Sequence, residues 1–383
     1  MPTINCNIHG NIHLCKLASK IVDTEEFQRL RNIKQLGCVS YIFPTAVHTR
    51  FEHSLGVYHL SKIYMKILNK FHMNFNRTEY ALISIGALIH DLGHGPYSHL
   101  YDDWQNICNH EYRSIEIFKM MNKKYNFGLS EKNIQFIYNV IDPKFLNEKK
   151  PYLFQIVSNK SGIDVDRIDY MMRDCKNLGL AYGIEYLKIM NNSGIEHGEI
   201  VYNSKARLPI DDFLRTRFLL YREIYNHKTV VSIEMSIKQI FEELDEYFNI
   251  RTCLEQGDWK KFVSMDDNII SFLTLMPFSV LLDKSQRILK DIKSRNIYKL
   301  VGEVISDKEL DVISEKDDVI ISKRRIKYYS EEKPKFIKND QVKILKSDEN
   351  NCDEYITRIY INPHNIDSES MSYATELFKS ICY

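Results

Sequence analysis

Residues 90–99 read His-Asp-Leu-Gly-His-Gly-Pro-Tyr-Ser-His and complete a helical segment, residues 78–92, that is apolar nearly all round. Such a segment predicts a buried helix, and Gly93 marks its expected end. Adjacent histidine and aspartate side chains at a buried helix end can both ligate one metal ion if that end faces a cavity. Two glycines and a proline then turn the chain sharply, so that His94 and His99 can return to the same cavity. We therefore expect a helical fold with a polar site at this helix end.

Two flanking stretches extend the polar site. Eight of the thirteen histidines lie between His48 and His110, and imidazole fills a helical core poorly unless it is paired. Arg-Phe-Glu-His at residues 50–53 precedes the cluster, and Asp-Val-Asp at residues 164–166 follows it. Each flank alone is typical of a helix start. Together they supply the two ligands that a histidine–aspartate pair still lacks. Imidazole with carboxylate suits Mn, Fe, Zn or Ni, and carboxylate alone suits Mg.

Periodicity places the site within a mostly helical chain. Helical patterns fit residues 54–71, 110–125, 130–141, 151–159 and 164–177, and a long helix fits residues 209–248. From about Val312 the pattern changes, because residues 319–321, 342–344 and 355–361 are typical of strands and residues 368–381 of a final helix. The sequence predicts a mainly α fold, with a helical body over residues 1–300 and a small α+β lobe over residues 301–383.

Composition restricts the class of protein. With 44% hydrophobic and 27% charged residues, the chain has the balance of a globular protein rather than a disordered one. A formal net charge of +1 gives no global basic field, so any nucleic-acid site would have to be local. Eight cysteines without a C-x-x-C pair indicate reduced thiols rather than a zinc site. No signal-peptide core or membrane-spanning stretch is recognised, and we expect a cytoplasmic or nuclear protein.

The motifs together resemble a known enzyme family. His53, then His90-Asp91, then Asp166 follow the pattern of HD-domain phosphohydrolases. Longer motifs are similar to the sterile-alpha-motif/HD deoxynucleoside triphosphate triphosphohydrolases, and they lie at residues 27–31, 33–37, 50–57, 90–99, 162–166, 173–175, 295–296 and 301–303. The similarity covers nearly the whole chain, although no part of it resembles the sterile-alpha-motif domain itself. It implies an HD-domain helical core that hydrolyses a dNTP to deoxynucleoside and tripolyphosphate.

The resemblance also implies the chemistry of the site. The implied metal ligands are His53, His90, Asp91 and Asp166, the ion being Mn, Fe, Zn, Ni or Mg, with a further Mg on the nucleotide. Three histidines are implied to surround the α-phosphate, namely His94, His99 and His110. Among them His99 is the best candidate to protonate the leaving 5′-oxygen, and Asp102 would orient His99 or His110.

Substrate contacts are carried over where the motifs match. The implied triphosphate contacts are Arg50, Arg167, Tyr170 and Arg217, since guanidinium groups bind phosphate oxygens in pairs. Gln35 and Asp174 resemble residues that hold the sugar 3′-hydroxyl, and Leu36 and Tyr225 resemble residues packed against C2′. At the substrate site, the sequence departs from the vertebrate pattern at three positions. Arg167 replaces a lysine, Tyr221 a histidine near the terminal phosphates, and Asn226 a glutamine near the base.

Regulation by nucleotides is a further implication. Family members assemble as oligomers with guanine nucleotide and dNTP bound at separate sites, so we expect a dimer or tetramer with GTP and dNTP as possible activators. Asp23, Gln28 and Arg31 match the guanine-reading positions, whereas Pro2 falls where a phosphate-binding lysine is expected. Possible matches for the second nucleotide are Phe43, Lys188, His227, Lys228, Arg295 and Lys299.

Two other functions remain open at this point. The chain could be an HD hydrolase of another nucleotide or phosphate ester, although four triphosphate-type contacts exceed what a monoester needs. It could also be a nucleotide-sensing or single-stranded nucleic-acid-binding module, because residues 323–327 read Lys-Arg-Arg-Ile-Lys and three further lysines follow by residue 338. For that stretch we favour a charged strand edge that discourages aggregation.

Overall fold

The computed structural model describes residues 2–70, 75–143, 150–276, 282–338, 341–344 and 353–382. The chain forms two compact units. Unit 1 comprises Met1–Leu214, Arg251–Asn268 and Tyr329–Lys346, and unit 2 comprises Arg215–Ile250, Ile269–Tyr328 and Ser347–Tyr383. The predicted boundary near residue 300 falls inside unit 2.

Helices predominate, which confirms the predicted mainly α class. The helices are α1 (Lys16–Val22), α2 (Glu25–Gln28), α3 (Arg50–Asn69), α4 (Arg77–Ile89), α5 (His99–Gln105), α6 (His110–Lys124), α7 (Glu131–Ile141), α8 (Tyr152–Gln155), α9 (Val165–Asn177), α10 (Tyr186–Asn191), α11 (Arg207–Leu219), α12 (Lys228–Phe248), α13 (Ile250–Glu255), α14 (Trp259–Phe262), α15 (Asn268–Phe272), α16 (Asp283–Ser294) and α17 (Ser368–Cys382). The strands are β1 (Thr3–Cys6), β2 (Gly10–His13), β3 (Ser193–Glu196), β4 (Glu199–Asn203), β5 (Lys299–Ser306), β6 (Val319–Ile326), β7 (Lys335–Lys338), β8 (Gln341–Ile344) and β9 (Glu354–Ile361).

Three helices of unit 1 begin at well-capped ends, which fixes where their polar residues lie. Helix α3 starts after Thr49 and helix α4 after Asn76, each with a capping box completed by the glutamate of the first turn. Helix α9 starts after Asp164, whose carboxylate accepts the Arg167 N–H at 2.9 Å. Residues 82–89 of α4 are all buried, as the apolar segment predicts. Helices α3 and α4 pack together, and α9 packs on α3.

Unit 1 contains two small sheets. Strands β1 and β2 form an antiparallel hairpin with Ile4 opposite Ile12. The other sheet has the order β3-β4-β7-β8, in which β4 and β7 are parallel and Tyr202 lies opposite Phe336. The predicted strand at residues 342–344 is therefore confirmed, and it pairs with β7 in this sheet.

Unit 2 is built on the antiparallel sheet β5-β9-β6. Helix α17 packs on this sheet, and Gly302 leaves room for the ring of Phe378. Helices α12 and α16 pack against each other. Val231 of α12, Tyr298 and Tyr360 form one small apolar cluster of the unit. The predicted strands at residues 319–321 and 355–361 and the final helix are confirmed.

The predicted single helix over residues 209–248 is wrong. Helix α11 gives way to a π-helical turn at Leu220–Tyr225, and α12 starts afresh after His227. The imidazole of His227 accepts the Thr229 N–H at 3.3 Å, so this histidine caps the second helix. Apolar periodicity continues through such a break, and this is why the sequence indicated one helix. The predicted helix at residues 151–159 is likewise shorter, because α8 covers four residues.

Candidate metal centre and active site

Four side chains from three helices converge at the end of α4. Helix α3 places His53 one turn after its start, His90 and Asp91 directly follow α4, and the first turn of α9 carries Asp166. The His53 Nε2 atom lies 3.2 Å from His90 Nε2 and 3.1 Å from Asp166 Oδ1. The His90 Nε2 atom lies 3.3 Å from Asp91 Oδ1 and 3.5 Å from Asp166 Oδ1.

The two imidazole rings are oriented by their other nitrogen atoms. His53 Nδ1 donates to Asp169 Oδ2 at 2.8 Å, and His90 Nδ1 donates to the Ala87 carbonyl oxygen at 2.9 Å. With Nδ1 protonated in both rings, the two Nε2 lone pairs face each other across 3.2 Å. Two neutral rings placed in this way are favourable only with a cation between them, or with the extra proton that the raised pKa of His53 implies.

The donor set fits a divalent cation. Metal–ligand bonds of about 2.1 Å give neighbouring ligand atoms separations of roughly 3.0–3.4 Å, near those found at this helix end. Three carboxylates (Asp91, Asp166 and Asp169) surround the two rings. Burial opposes the imidazolium form of His53, but its hydrogen bonds to Asp166 and Asp169 raise its pKa to about 10. The excess negative charge responsible for that shift is what a bound cation would neutralise.

Arg50 supports the aspartate of this site. Its Nη1 atom donates to Asp91 Oδ2 at 2.6 Å and its Nε atom donates to Ser98 Oγ at 2.7 Å. Burial disfavours the ionised form of Asp91, yet the Arg50 charge and the neighbouring histidines hold the pKa of Asp91 well below its usual range. The predicted phosphate contact of Arg50 would use Nη2, whose bond to the Gln35 carbonyl oxygen is long at 3.4 Å.

A second polar cluster lies next to the first. The ligand atoms of His94, His99, Asp102 and His110 lie within 4.8 Å of one another. Asp102 Oδ2 is 2.9 Å from His110 Nδ1 and 3.9 Å from His99 Nδ1, so Asp102 orients His110 rather than His99. Arg113, which is fully buried, also pairs with Asp102. Burial favours protonated Asp102, but the His110 hydrogen bond and the Arg113 charge hold its pKa well below the usual range.

The remaining histidines of this cluster differ in exposure. The side chain of His99 is 71% exposed, whereas that of His94 is 1% exposed. Burial and the nearby Arg50 charge hold the pKa of His94 well below its usual range, so His94 is neutral. Its ring stacks on His110 at 3.9 Å, and its Nδ1 atom finds no hydrogen-bond partner within the described part of the chain. His99 is therefore the ring of this cluster that solvent and substrate can reach most easily.

The turn that leads from His94 to His99 has an uncommon backbone. Tyr97 and Ser98 both have a φ of 58°, a left-handed conformation that costs energy in residues other than glycine. The carboxylate of Asp267 accepts the Tyr97 N–H at 2.7 Å and the Lys34 N–H at 3.0 Å, which stabilises the turn. Burial raises the pKa of Asp267 to about 6.

A short antiparallel bridge places the predicted sugar-binding residues. Lys34 bridges Thr49, and the Gln35 N–H donates to the His48 carbonyl oxygen at 2.9 Å. The His48 ring in turn lies 2.6 Å from Asp174 Oδ1, with both side chains buried. Gln35 Oε1 and His48 Nδ1 are buried without a hydrogen-bond partner in the described residues. His48 thus contacts Gln35 through its backbone and Asp174 through its ring.

Known proteins are similar to this chain in sequence. Residues 50–174 match the HD domain. An HD domain-containing protein of Acanthamoeba polyphaga mimivirus is 34% identical over 339 residues, which cover 78% of this chain and 73% of the viral protein. The chain belongs to the HD-domain family. The resemblance to HD-domain phosphohydrolases that we inferred from the sequence motifs is confirmed.

Two eukaryotic relatives resemble this HD-domain chain to a similar degree. The Dictyostelium discoideum homologue of deoxynucleoside triphosphate triphosphohydrolase SAMHD1 is 34% identical over 314 residues, or 79% of this chain and 60% of that protein. The human SAMHD1 is 33% identical over 350 residues, or 79% of this chain and 55% of that protein. The chain therefore spans less than two thirds of the length of these two relatives.

Other predicted substrate residues lie on both units of the HD-domain chain. In unit 1, Arg167 pairs with Asp164, and the ring of Tyr170 lies 6.5 Å from that of His53. In unit 2, Arg217 donates to the Lys327 carbonyl oxygen at 3.1 Å.

The π-helical turn of unit 2 holds two more of these residues. The rings of Tyr221 and Tyr225 stand edge to face at 5.0 Å, and Asn226 Nδ2 donates to the Tyr221 carbonyl oxygen at 2.8 Å. π-Helical turns occur often at functional sites, which supports the substrate assignment of this segment. Leu36, the other predicted C2′ neighbour, is half-buried in unit 1.

The predicted nucleotide-reading residues of unit 1 form a local group. Arg31 Nε donates to Gln28 Oε1 and Gln28 Nε2 donates to the Val22 carbonyl oxygen, both at 2.7 Å, next to the exposed Asp23. The residues suggested for a second nucleotide lie apart in the chain. Phe43 and Lys188 belong to unit 1, and Lys228, Arg295 and Lys299 belong to unit 2. Arg295 has a left-handed backbone at the end of α16.

Sequence reasoning missed four supporting residues, namely His9, His48, Asp169 and Asp267. Asp169 follows Asp166 by three residues and therefore lies on the same face of α9, which is a signal the sequence contains. His9, His48 and Asp267 act across long sequence separations, for which one sequence offers no comparable signal.

Within the described residues, no helix has both the length and the apolar character needed to cross a membrane.

Proposed function

We propose that the chain is a metal-dependent triphosphohydrolase that converts a dNTP and water to a deoxynucleoside and tripolyphosphate. The observation that carries this proposal is the pair of imidazole Nε2 atoms held 3.2 Å apart beside Asp91 and Asp166, with the histidine and aspartate cluster of residues 94–110 adjoining. The similarity to two relatives named as dNTP triphosphohydrolases, over 79% of this chain, supports the choice of substrate.

The residues divide the chemical work. His53, His90, Asp91 and Asp166 would hold the cation, which when bound would lower the pKa of a water molecule and stabilise charge on phosphorus. Arg50 keeps Asp91 ionised and aimed at the site. Asp102 holds His110 through Nδ1, and the Nε2 atom of His110 is the one that would bind the phosphate. The exposed His99 gives a proton to the leaving 5′-oxygen, which completes the cleavage of the bond between that oxygen and the α-phosphorus.

The sugar-binding proposal rests on the Gln35–His48–Asp174 group. Its two unpartnered acceptors, Gln35 Oε1 and His48 Nδ1, are buried, and a buried acceptor gains most from a ligand that donates a hydrogen bond. A sugar hydroxyl is such a donor. In unit 1, Leu36 remains a proposed neighbour of C2′, where an added ribose hydroxyl would be crowded.

We also propose nucleotide-dependent assembly. The Gln28–Arg31 pair beside Asp23 supports a guanine site, because aspartate accepts from guanine N1 and N2 while arginine donates to O6 and N7. Pro2 lacks the charge of the lysine that is expected to bind the nucleotide phosphate at this position. A monomeric mass with and without GTP and dNTP would refute assembly into a dimer or tetramer.

The nucleic-acid alternative receives little support from the basic stretch at residues 323–338. Arg325 pairs with Asp353 at 2.8 Å, Arg324 contacts Glu234 at 3.3 Å and Lys335 contacts Glu199 at 2.5 Å. These three cationic side chains form ion pairs within the protein, which agrees with the interpretation of the stretch as a charged strand edge. Lys338 has no described side chain, so its predicted role lies outside the described residues.

Product analysis tests the proposal directly. Wild-type protein is incubated with dGTP, dATP, dCTP, TTP and GTP, with Mn²⁺ or Mg²⁺, and with GTP activator added or omitted, and the products are separated by anion exchange. We expect deoxynucleoside and tripolyphosphate from dNTPs but not from GTP. The H90A/D91A variant should lose this activity, because two ligands are removed.

A matched control is available on the exposed turn between β3 and β4. Glu196 and His197 are also an adjacent carboxylate and imidazole, and the His197 side chain is 83% exposed. Glu196→Gln combined with His197→Asn should leave activity unchanged. Orthophosphate or a monophosphate as product would instead indicate an HD hydrolase of another phosphate ester, and absence of turnover under every condition would indicate a binding module.

A further inference from the structure

The turn of the N-terminal hairpin, between β1 and β2, lies against one face of helix α9, which carries the proposed metal ligand Asp166. Lys176 Nζ donates to the Asn7 carbonyl oxygen, Arg173 Nη2 lies 3.7 Å from Cys6 Sγ, and His9 Nε2 lies 2.5 Å from Asp169 Oδ1. The three α9 residues are spaced by four and three positions, and therefore share a face of the helix. Asp166, a proposed metal ligand, begins the same row one turn earlier.

The carboxylate of Asp169 is held from every side. Its Oδ1 atom meets His9 Nε2 at 2.5 Å and Arg173 Nη2 at 3.1 Å, and its Oδ2 atom meets His53 Nδ1 at 2.8 Å and Arg173 Nε at 3.1 Å. Gly56 provides the space, because a Cβ atom there would lie 1.9 Å from Asp169 Oδ1. The side chains of His9, His53 and Asp169 are each at most 1% exposed.

We propose that His9 is a positioning residue of the metal centre. By fixing Asp169, His9 keeps the His53 ring in the orientation and tautomer that turn its Nε2 lone pair toward the cation. The N-terminal hairpin is then part of the metal-binding structure, although it contributes no ligand. This inference rests on the metal centre of the proposed function.

The contact between His9 and Asp169 also stabilises the hairpin. A two-stranded sheet with four-residue strands has little stability of its own in water. Its buried anchor is Ile12, and its turn is attached through the three polar contacts with α9. Loss of the His9 ring would therefore release Asp169 on one side and loosen the turn on the other. Both effects weaken the orientation of His53 without changing any ligand.

The test measures metal affinity rather than turnover alone. The full chain is freed of metal by chelation, and Mn²⁺ binding is followed by the electron paramagnetic resonance signal of free Mn²⁺. We expect His9→Ala to weaken Mn²⁺ binding about 10–100-fold. His9→Gln, whose amide nitrogen can replace Nε2 as a donor to Asp169, should recover most of the affinity. Activity of His9→Ala should return at saturating Mn²⁺, because the ligands and the acid–base residues are intact.

His13 provides the matched control on the same hairpin. Its ring is exposed and lies 2.9 Å from Thr3 Oγ1, away from α9, so His13→Ala should bind Mn²⁺ like the wild type. Wild-type affinity in His9→Ala, or equal losses in His9→Ala and His13→Ala, would overturn the role of His9 and leave the metal centre standing. Failure of the wild type to bind Mn²⁺, with no difference from H90A/D91A, would overturn the metal centre and the role of His9 with it. If His9→Ala does not fold, the test relies on His9→Gln. Weak Mn²⁺ binding by a folded His9→Gln variant would contradict the proposal that a donor to Asp169 at this position supports the metal centre.

Discussion

Replacement of Gly56 by alanine would displace the Asp169 carboxylate, which supports the proposed metal ligand His53. Gly56 lies in α3, one turn after His53, and a Cβ atom there would lie 1.9 Å from Asp169 Oδ1 and 2.7 Å from Arg173 Nη2. Neither distance is tolerable, so the Asp169 carboxylate must move. It cannot do so without lengthening its bonds to His53 Nδ1 and His9 Nε2.

The Gly56→Ala substitution should change the free energy of unfolding and the metal affinity by different amounts. Alanine is favoured over glycine within a helix by about 1 kcal/mol, whereas overpacking a buried site costs about 1–3 kcal/mol. The free energy of unfolding should therefore fall by about 0–2 kcal/mol, and the Gly56→Ala variant should fold. Disturbing an outer partner of a metal ligand lowers metal affinity about 10–100-fold, equal to about 1.4–2.7 kcal/mol of binding free energy.

Gly86→Ala separates these consequences. Gly86 is also a buried helix glycine, and a Cβ atom there would lie 2.7 Å from Val140 Cγ1. Denaturant unfolding of the metal-free proteins should give losses within the same range for both variants. Calorimetric titration with Mn²⁺ should show weak binding for Gly56→Ala alone. Equal, wild-type affinities in both variants would refute the reasoning that Asp169 supports His53.

Two further predictions concern histidines outside the ligand set. His99→Gln should lower kcat about 10²–10⁴-fold, as expected for loss of a general acid, while the melting temperature stays unchanged because the ring is 71% exposed. A lower melting temperature with unaltered kcat would contradict the role of His99. His59→Gln should make stability less dependent on pH, because burial together with the nearby His9 lowers the pKa of His59 to about 4. Between pH 6.5 and 4 the unfolded chain then binds more protons, so stability falls as the pH falls. Removing the ring should lessen this fall by about 1–2 kcal/mol, discounted for partial exposure, in denaturant titrations of metal-free protein across that range. Parallel pH profiles of the variant and the wild type would contradict it.

The sequence predicted the helical class and the elements around the site, because the information is local. An apolar run ending in His90-Asp91 and a capped start at Asp164 specify both the helices and their polar ends. The structure brings together His53, His90, Asp91 and Asp166, as the HD pattern predicts. Asp102 was assigned to either His99 or His110, and the structure selects His110.

Long-range partners could not be predicted in the same way. The contact of His9 with Asp169 spans 160 residues, and that of Asp267 with Tyr97 spans 170. Periodicity carries no information about such pairs. It also runs without interruption through the π-helical turn at Leu220–Tyr225, so one helix was predicted where there are two. A strand of four residues such as β7 likewise gives no sign of which sheet it joins.

The parallel pairing of β4 with β7 has a consequence for synthesis on the ribosome. Strand β7 follows β4 by roughly 130 residues. At a translation rate of about 5–20 residues per second, β7 is synthesised roughly 7–26 s after β4. During that interval β4 has β3 on one side and an open edge on the other, which is a template for unwanted pairing with another nascent chain. A transcript truncated before residue 335 would leave that edge open permanently, even though every proposed metal ligand had already been translated.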